Sequence, residues 1–537
     1  MATKRSLVTT LVDRLGHRQL GFPPETCSYT VTEVRIPVSN QTEQFELMAD
    51  LYQPVLSKNA EPAGTVLVRC PYGRSPALSF LGARPYAARG YVCLLVSCRG
   101  TFGSGAVFDP FRNEEQDGHA VVEWMRKQAW YTGTFATLGG SYLGFVQYAL
   151  LKNPPTDMVA AIIQCAPHDF GKQLWGTGSL TLDFVAWGEN VAHQGETGLL
   201  HTLNSMNTAK RMRPVLDRTP LAESIKSHFD GRAPWLDFVV DHHDLSDPYY
   251  EQMNLSEALE RADIPILLVS GWYDLFAPQT MEQYAQLSQR KTNVALTVGA
   301  WNHMNIGMSA KVWQQTFDWL EEHLAKRKSS TRKSAVQYFV TGAEVWRDWH
   351  VWPPSTIQRK FYVQSSNKLD ESEPTTDEGS SSFTFDPQQP TPTKGGNLLL
   401  GGGRADDTAL AARPDVLTLT TEPLKENIEV CGKITVDLSH SSDNPNVDLF
   451  VRISEVNAKG RSQSVTDTYL RLKPDRDSGP VFLQLRDCAH QFAKGNRIRL
   501  IVAGASHPQY AIIPEKAVHT IHHGKTGVSK VSLPCTT

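Results

Sequence analysis

The chain has 537 residues, which is too long for one ordinary domain of about 100–200 residues. Hydrophobic residues make up 40% of it and charged residues 20%, which excludes a largely disordered protein. The 53 Lys and Arg against 56 Asp and Glu leave a formal net charge of −3, so composition gives no electrostatic case for a nucleic-acid partner or an anionic membrane.

The chain opens with MATKRSLVTTLVDRLGHRQLGF, which is basic but lacks the apolar core of a signal peptide. No stretch approaches the roughly 20 apolar residues that span a bilayer. The eight cysteines form no Cys-x-x-Cys pair, so a structural zinc site is not supported. Sparse cysteine usage favours a reducing compartment, and we predict a cytoplasmic location.

From about Tyr29 to Arg327, short apolar runs alternate with amphipathic segments such as Glu114–Gln128 and Ala310–Lys326. Runs without polar alternation are typical of strands buried on both faces of a parallel sheet. The pattern predicts an α/β domain. This domain is expected to begin with an antiparallel hairpin of Tyr29–Pro37 and Glu43–Tyr52. The apolar runs are Thr65–Arg69, Tyr91–Val96, Met158–Ile163, Pro265–Ser270 and Val294–Val298.

One long interval interrupts this alternation between two predicted strands. Residues 170–262 contain little strand signal, and an insertion of this size is expected to form a helical cap over the strand ends. The α/β core is then residues 1–169 and 263–327. Trp175, Phe184 and Trp187 of the cap are the aromatic residues expected to meet an apolar ligand, although packing of the cap on the sheet would explain them equally well.

Residues 328–537 differ in character from the part before them. Short β-type runs recur there with Gly, Pro, Asn and Asp between them, which predicts a β-sandwich of the jelly-roll type. A module of this kind usually shapes or binds rather than catalyses. The runs are Val416–Thr420, Ile428–Leu438, Val447–Ser454, Val481–Leu485 and Arg497–Val502.

The strongest chemical signal is the segment Leu138–Gly144, LGGSYLG, between a predicted strand and a predicted helix. A serine at a sharp strand-to-helix turn projects from the sheet, and small neighbours are needed because a Cβ would clash in the strained turn. This places Ser141 as a candidate nucleophile. The pattern departs from G-x-S-x-G, since Leu143 occupies the last position and glycine follows one residue later.

Two further residues follow strands in the chain order that an α/β-hydrolase uses, Ser before Asp before His. Asp274 ends the segment SGWYD after one buried strand, and His303 ends GAWNH after the next. Either residue alone would be unremarkable, but the three together predict a Ser-Asp-His triad. The adjacent His242 and His243 are a weak metal signal, because neighbouring side chains point in different directions, and we predict no metal and no cofactor.

A fourth segment, CPYGR, follows the first long buried strand. In an α/β-hydrolase this loop faces the nucleophile and completes the oxyanion hole, so the Tyr72 hydroxyl is a candidate donor.

These motifs together resemble the cocaine-esterase-like (CocE/NonD) hydrolases, relatives of the X-Pro dipeptidyl-peptidases and α-amino-acid ester hydrolases. The matching segments run in order from CPYGR through CRGTFGSGAVFDPF, NEEQDGHAVVEWMRKQAW, LGGSYLG, SGWYDLFA and GAWNHMN to VQYFVTGAEVWRDWHVWPP, FDPQQPTPTKGG and DVLTL. The resemblance implies a serine hydrolase core, a helical cap and a C-terminal jelly roll.

Carried over by position, the resemblance makes Ser141 the nucleophile, Asp274 the orienting acid and His303 the base. It places the oxyanion donors at the Tyr72 hydroxyl and the Tyr142 backbone N–H. Phe276 matches an aromatic residue of the acyl pocket. Trp175 and Trp187 are the cap aromatics that match more loosely. Relatives usually carry Asp where this chain has Ser97, which bears on loop geometry rather than on the triad.

The predicted function is hydrolysis of an ester, thioester or activated amide of a small-molecule acyl substrate. An acyltransferase would use the same acyl-enzyme, and an X-Pro dipeptidyl-peptidase-like aminoacyl hydrolase would need a carboxylate for the free α-amine, for which Asp183 and Glu189 are candidates. A non-catalytic binding protein is disfavoured by the intact triad. The resemblance leaves a homodimer open.

Overall fold

The structure is a computed structural model of the chain, and it describes residues 2–39, 43–193, 208–328, 332–474 and 480–536. Within these ranges no helix is both long enough and apolar enough to cross a lipid bilayer. The described residues form two large β-sheet units, one flanked by helices and one built almost wholly from antiparallel strands.

The first sheet contains eleven strands among the described residues. They are β1 (Thr3–Lys4), β2 (Ser28–Ser39), β3 (Gln44–Val55), β4 (Thr65–Cys70), β5 (Val92–Ser97), β6 (Phe135–Gly140), β7 (Met158–Gln164), β8 (Ile266–Tyr273), β9 (Val294–Asn302), β10 (Val336–Val340) and β11 (Val345–Trp349). Their order is β1-β2-β3-β5-β4-β6-β7-β8-β9-β10-β11, and the strands from β5 to β10 in this order run parallel. Strands β4, β5 and β8 are buried along their whole length, as their uninterrupted apolar sequence predicts.

Helices cover both faces of this sheet. They are α1 (Leu7–Gln19), α2 (Pro76–Gly82), α3 (Arg84–Ala87), α4 (Glu114–Arg126) and α5 (Tyr142–Leu151), followed beyond β7 by α6 (Phe170–Trp175), α7 (Asp183–Ala192), α8 (Thr208–Leu216), α9 (Leu221–Phe229), α10 (Pro234–Asp241), α11 (Ser256–Arg261), α12 (Ala277–Gln289) and α13 (Ala310–His323). The described residues between β7 and β8 contain the six helices α6 to α11 and no named strand, and their apolar side chains join the core on one face of the sheet. Short 3₁₀ turns lie at Pro248–Met253 and Ile306–Met308.

The edge of the first sheet extends beyond the domain boundary expected after residue 327. Helix α13 returns the chain to this edge, where β10 pairs in parallel with β9, and β11 then pairs antiparallel with β10. Both strands lie in the part of the sequence that was predicted to form the C-terminal domain. The structure places them in the first sheet, because a helix that crosses back over a parallel sheet delivers one more parallel strand.

The rest of the chain forms the C-terminal domain, in which strands pair antiparallel except for one parallel contact between β13 and β15. Its elements are β12 (Thr356–Gln364), β13 (Lys368–Asp370), β14 (Ser380–Phe385), α14 (Thr408–Ala411), β15 (Val416–Thr420), β16 (Ile428–Ser442), β17 (Asp448–Val456), β18 (Ser462–Arg471), β19 (Pro480–Phe492), β20 (Arg497–Ala503), β21 (Ala517–His522) and β22 (Lys530–Thr536), with a 3₁₀ turn at Ser365–Asn367. A separate apolar cluster fills it. The predicted α/β core with a C-terminal β-rich domain is therefore confirmed.

Candidate active site

The turn between β6 and α5 carries Ser141 at its apex. Ser141 has φ 57° and ψ −126°, a left-handed backbone conformation that costs an L-residue energy. Residue 139 must be glycine, because a Cβ there would lie 2.3 Å from Leu143 Cβ. Residue 144 must also be glycine, because its Cβ would lie 2.3 Å from Ala166 Cβ. The displaced glycine of this motif thus serves close packing of α5 against the sheet.

Asp274 and His303 lie at the carboxyl ends of β8 and β9, on the same edge of the sheet as Ser141. His303 Nε2 is 3.1 Å from Ser141 Oγ. His303 Nδ1 is 2.6 Å from Asp274 Oδ2. Hydroxyl, imidazole and carboxylate therefore form one continuous chain of hydrogen bonds, which is the geometry that nucleophilic serine catalysis requires.

The loop that carries the carboxylate is fixed by two sets of hydrogen bonds. The Phe276 backbone N–H donates to Asp274 Oδ1 at 2.7 Å, and Asp274 itself is fully buried. Asn397, from beyond β14, donates its amide N–H groups to the backbone carbonyls of Asp274 at 2.7 Å and of Trp272 at 3.0 Å. A side chain from the C-terminal part of the chain thus braces the loop that orients His303.

The electrostatic environment of His303 strongly favours its protonated form. Burial alone would lower the pKa of this imidazole, but the adjoining Asp274 carboxylate and then the Cys165 side chain outweigh it and raise the pKa to about 10. A carboxylate that stabilises the imidazolium in this way also stabilises the charge that develops when serine loses its proton.

The Tyr72 hydroxyl lies beside the nucleophile. Trp187 Nε1 donates to it at 3.2 Å, and the hydroxyl also interacts with the Ser141 side chain. Burial raises the pKa of Tyr72 above its ordinary value, so the phenol keeps its proton at neutral pH. Because Trp187 occupies an acceptor site of the phenol oxygen, the O–H remains available as a donor.

Tyr142 is the first residue of α5, where backbone N–H groups have no acceptor within the helix. The side chain of Tyr142 is fixed by two hydrogen bonds. Its hydroxyl donates to Glu114 Oε1 at 2.7 Å and accepts from the Phe111 N–H at 3.0 Å. Glu114 in turn pairs with Arg69 at 2.5 Å. This buried network holds the start of α5 in place, so the Tyr142 N–H fits the role of second oxyanion donor.

Replacement of Tyr72 by phenylalanine tests the phenol as an oxyanion donor. We expect kcat for ester hydrolysis to fall by about 10²–10³-fold with little change in KM, because the lost hydrogen bond strengthens only as the oxyanion forms. The matched control is Tyr148→Phe, which removes a buried hydroxyl that has no hydrogen-bond partner among the described residues. Equal kcat losses in the two variants would contradict the assignment.

The three predicted pocket aromatics occupy different environments. The Phe276 ring packs edge-on against His303 with centroids 5.5 Å apart, and it also approaches Phe184 at 6.2 Å. Trp187 packs over Tyr142 at 6.3 Å in addition to its bond to Tyr72. Trp175, the last residue of α6, packs instead against His243, with the two ring centroids 6.2 Å apart.

Ser97, where the chain departs from the motif that the resemblance implies, is the last residue of β5. Arg74 donates to Ser97 Oγ at 2.6 Å. The same guanidinium pairs with Asp50 on the neighbouring strand β3 at 3.1 Å. Arg74 therefore links the end of β5 to an acidic residue on β3.

Three further residues of the site were not predicted from the sequence. Glu114 lies within the segment NEEQDGHAVVEWMRKQAW, one of the segments that match the family, and this match is the signal that could have identified it. Asn397 has no local signal in the sequence. The third is Cys165, at the end of β7, where ligand atoms of Cys165, Asp274 and His303 all lie within 4.8 Å of one another. We assign no metal to this group, because Asp274 and His303 are already bonded to each other.

Comparisons with known proteins show which proteins this chain is similar to. Residues 44–305 match the family model described as X-Pro dipeptidyl-peptidase (S15 family), and residues 328–533 match the model of the X-Pro dipeptidyl-peptidase C-terminal non-catalytic domain. The chain is 25% identical to a cocaine esterase from Rhodococcus sp. (strain MB1 Bresler) over 584 aligned positions, which cover 94% of this chain and 99% of that protein.

Solved structures share the fold over nearly the whole chain. An aminopeptidase from a marine sediment Thaumarchaeota archaeon has a TM-score of 0.81 at 20% identity, covering 96% of this chain and 98% of its own. An α-amino acid ester hydrolase has a TM-score of 0.80 at 20% identity, with 95% and 97% covered. A CocE/NonD family hydrolase from Staphylococcus aureus has a TM-score of 0.71 at 14% identity, with 95% and 94% covered.

Proposed function

Because the chain belongs to the cocaine-esterase-like (CocE/NonD), X-Pro dipeptidyl-peptidase-like family and is a serine ester hydrolase, we propose that it acts through an acyl-enzyme on Ser141. His303 is then the general base and Asp274 the acid that orients it. The observation that carries the proposal is the chain of two hydrogen bonds, 3.1 Å from Ser141 Oγ to His303 Nε2 and 2.6 Å from His303 Nδ1 to Asp274 Oδ2.

Acylation begins when His303 Nε2 takes the proton of the Ser141 hydroxyl as Oγ attacks the ester carbonyl carbon. The carbonyl oxygen becomes an oxyanion, which the Tyr72 hydroxyl and the Tyr142 backbone N–H stabilise. The imidazolium then gives its proton to the leaving alcohol, the ester C–O bond breaks, and the acyl group stays on Ser141. A thioester or an activated amide would follow the same steps with a different leaving group.

Deacylation repeats the sequence with water as the nucleophile. His303 takes a proton from water, the hydroxide oxygen attacks the acyl carbon, and the same two donors hold the second oxyanion. Collapse returns the proton to Ser141 and releases a carboxylic acid. Every proton in this cycle passes through His303, so no cofactor is required.

Covalent labelling separates this enzyme from a binding protein of the same fold. A fluorophosphonate probe is expected to label the wild-type chain on the peptide that contains Ser141, as identified by mass spectrometry, and to leave Ser141→Ala unlabelled. Labelling of a different serine, or a wild-type chain that the probe does not label, would reject the proposal.

The small-molecule acyl substrate, the cytoplasmic location and the homodimer are further parts of the proposal. The eight free thiols support a reducing compartment.

One face of α1 supports self-association, because the side chains of Leu7, Leu11 and Leu15 are more than half exposed there.

One carboxylate supports a second candidate, the hydrolysis of aminoacyl esters. The Leu399 backbone N–H donates to Asp183 Oδ2 at 3.3 Å, and Asp183 forms no ion pair with a Lys, Arg or His in the described ranges. His303 acts on it electrostatically, while burial dominates and raises the pKa of Asp183 to about 7. The other candidate, Glu189, already pairs with Arg211 and with His228.

Asp183→Asn tests this candidate. If Asp183 binds an α-ammonium group, the variant should lose about tenfold or more in kcat/KM for an aminoacyl p-nitrophenyl ester relative to its N-acetylated analogue, which lacks the positive charge. In the wild type the same preference should weaken below about pH 7, because protonation neutralises the carboxylate. A preference that Asp183→Asn leaves intact would exclude this residue as the amine site.

A further inference from the structure

We propose that an apolar cavity beside Ser141 binds an aliphatic chain of the ester, a specificity that rests on the proposed function. The cavity has a volume of about 320 Å³ and is bordered by Ser141, His303 and Tyr72. A chain bound in it would therefore be attached directly to the carbonyl group under attack or to the leaving oxygen. We call this space the leucine cavity, after the leucines in its walls.

The walls of the leucine cavity are apolar. They come from strands β4 to β7, from α2 and α5, from the turn Ile306–Met308 and from Trp313 in α13. Apart from the catalytic groups and the amide of Gln164 the lining is largely apolar, and none of the described residues in it is Asp, Glu, Lys or Arg. Leu78, Leu81 and Leu143 are only half-buried there, which means that their side chains face the empty space. Apolar walls of this kind favour methylene groups over charged or hydrogen-bonding groups. Each methylene group buried in them raises the affinity roughly fourfold.

The leucine cavity is separate from the aromatic side of the site. Its leucines pack against the apolar cluster under α2, α3 and α13, whereas Phe184, Trp187 and Phe276 belong to the cluster that continues into the cap. None of these three aromatics lines the leucine cavity. Ser141 thus lies where two apolar regions meet, and each can take a different part of an ester.

The dimensions of the leucine cavity favour a medium-length chain. Its volume of about 320 Å³ leaves room for about ten groups of about 30 Å³ each, which is enough for a chain of medium length. At the rim, Met304 is 55% exposed, and its flexible thioether can adapt to chains of different length.

Gly82 offers a way to fill the leucine cavity without altering the triad. It is the last residue of α2 and lines the cavity, and a Cβ placed on it would meet only Val68 Cγ1, at 3.8 Å. The side chain of Gly82→Leu can therefore occupy the space intended for the aliphatic chain. Ala77→Leu is the matched control, because it adds a similar apolar group at an exposed position of the same helix that does not line the cavity.

The experiment measures kcat/KM in two series, p-nitrophenyl alkanoates from acetate to decanoate and alkyl acetates from methyl to decyl. We expect the wild type and Ala77→Leu to prefer the eight-carbon member over the shortest one by at least tenfold in one of the series. Gly82→Leu should reduce that ratio at least tenfold. The series that responds identifies whether the acyl group or the alcohol occupies the leucine cavity.

A second variant changes the cavity in the opposite direction. Leu81→Ala enlarges it, so the preferred chain should become longer by two or more carbons, which also covers the case in which Gly82→Leu does not fold. Wild-type kcat/KM that is independent of chain length in both series would overturn the proposal, as would a ratio that neither variant changes. Either result leaves hydrolysis of the short esters and its loss in Ser141→Ala intact, so the proposed function would stand.

Discussion

Ser141→Ala is expected to lower kcat for p-nitrophenyl ester hydrolysis by about 10⁶-fold, the largest effect that we expect from any single substitution in this chain. The variant keeps the oxyanion donors and the pocket but has no atom to form the acyl-enzyme. A residual rate from binding and the oxyanion hole alone is expected. The fall should appear in kcat rather than in KM, because Ser141 bonds to the substrate only after binding.

Ser270→Ala is the matched control for this substitution. Its hydroxyl is buried in the core, in the middle of β8, and it has no hydrogen-bond partner among the described residues. It should therefore retain activity close to that of the wild type. If Ser141→Ala kept more than one hundredth of wild-type kcat, another residue would have to be the nucleophile.

Asp274→Asn is expected to lower kcat by about 10⁴-fold while leaving the fold in place, because asparagine has almost the same shape as aspartate. The amide cannot stabilise the imidazolium, and it can hold His303 in the wrong tautomer. A loss of less than tenfold would contradict the role of Asp274 as the orienting acid.

The pH dependence of kcat/KM gives an independent test of the Asp274–His303 pair. Only the neutral imidazole accepts the serine proton, and the pKa of His303 in the free enzyme is raised to about 10. Wild-type kcat/KM should therefore rise with pH well beyond the ordinary histidine value of 6.5. In Asp274→Asn the half-maximal pH should fall, because the charge that raises the pKa is gone while burial still lowers it. An unchanged half-maximal pH would mean that another group controls the profile.

The catalytic residues could be predicted from the sequence because each of them follows a predicted strand. Buried parallel strands are uninterrupted apolar runs, and parallel strands end at a common edge, so Ser141, Asp274 and His303 could be expected to meet there. Tyr72 follows the same logic after β4. For these residues the local sequence predicts both the strand and how far the residue lies from the end of that strand.

Contacts that depend on distant parts of the chain could not be predicted in this way. Asn397 lies 123 residues from Asp274 in sequence and in a stretch without periodicity, so nothing local indicates that it braces the loop. The pairing of β10 and β11 with the first sheet was not expected, because a composition change suggests a boundary but does not reveal strand pairing. The leucine cavity was not expected either, since apolar residues near a sheet predict a filled core just as readily.

The bond from Asn397 and the pairing of β10 with β9 have a consequence for the order in which this enzyme matures. All three members of the triad have been synthesised by residue 303, yet the edge of their sheet and the support of their acidic loop come from later residues. We expect a nascent chain released at residue 327 to be inert although its catalytic groups are complete. Turnover would then require that translation has passed residue 397, which supplies the support of the acidic loop.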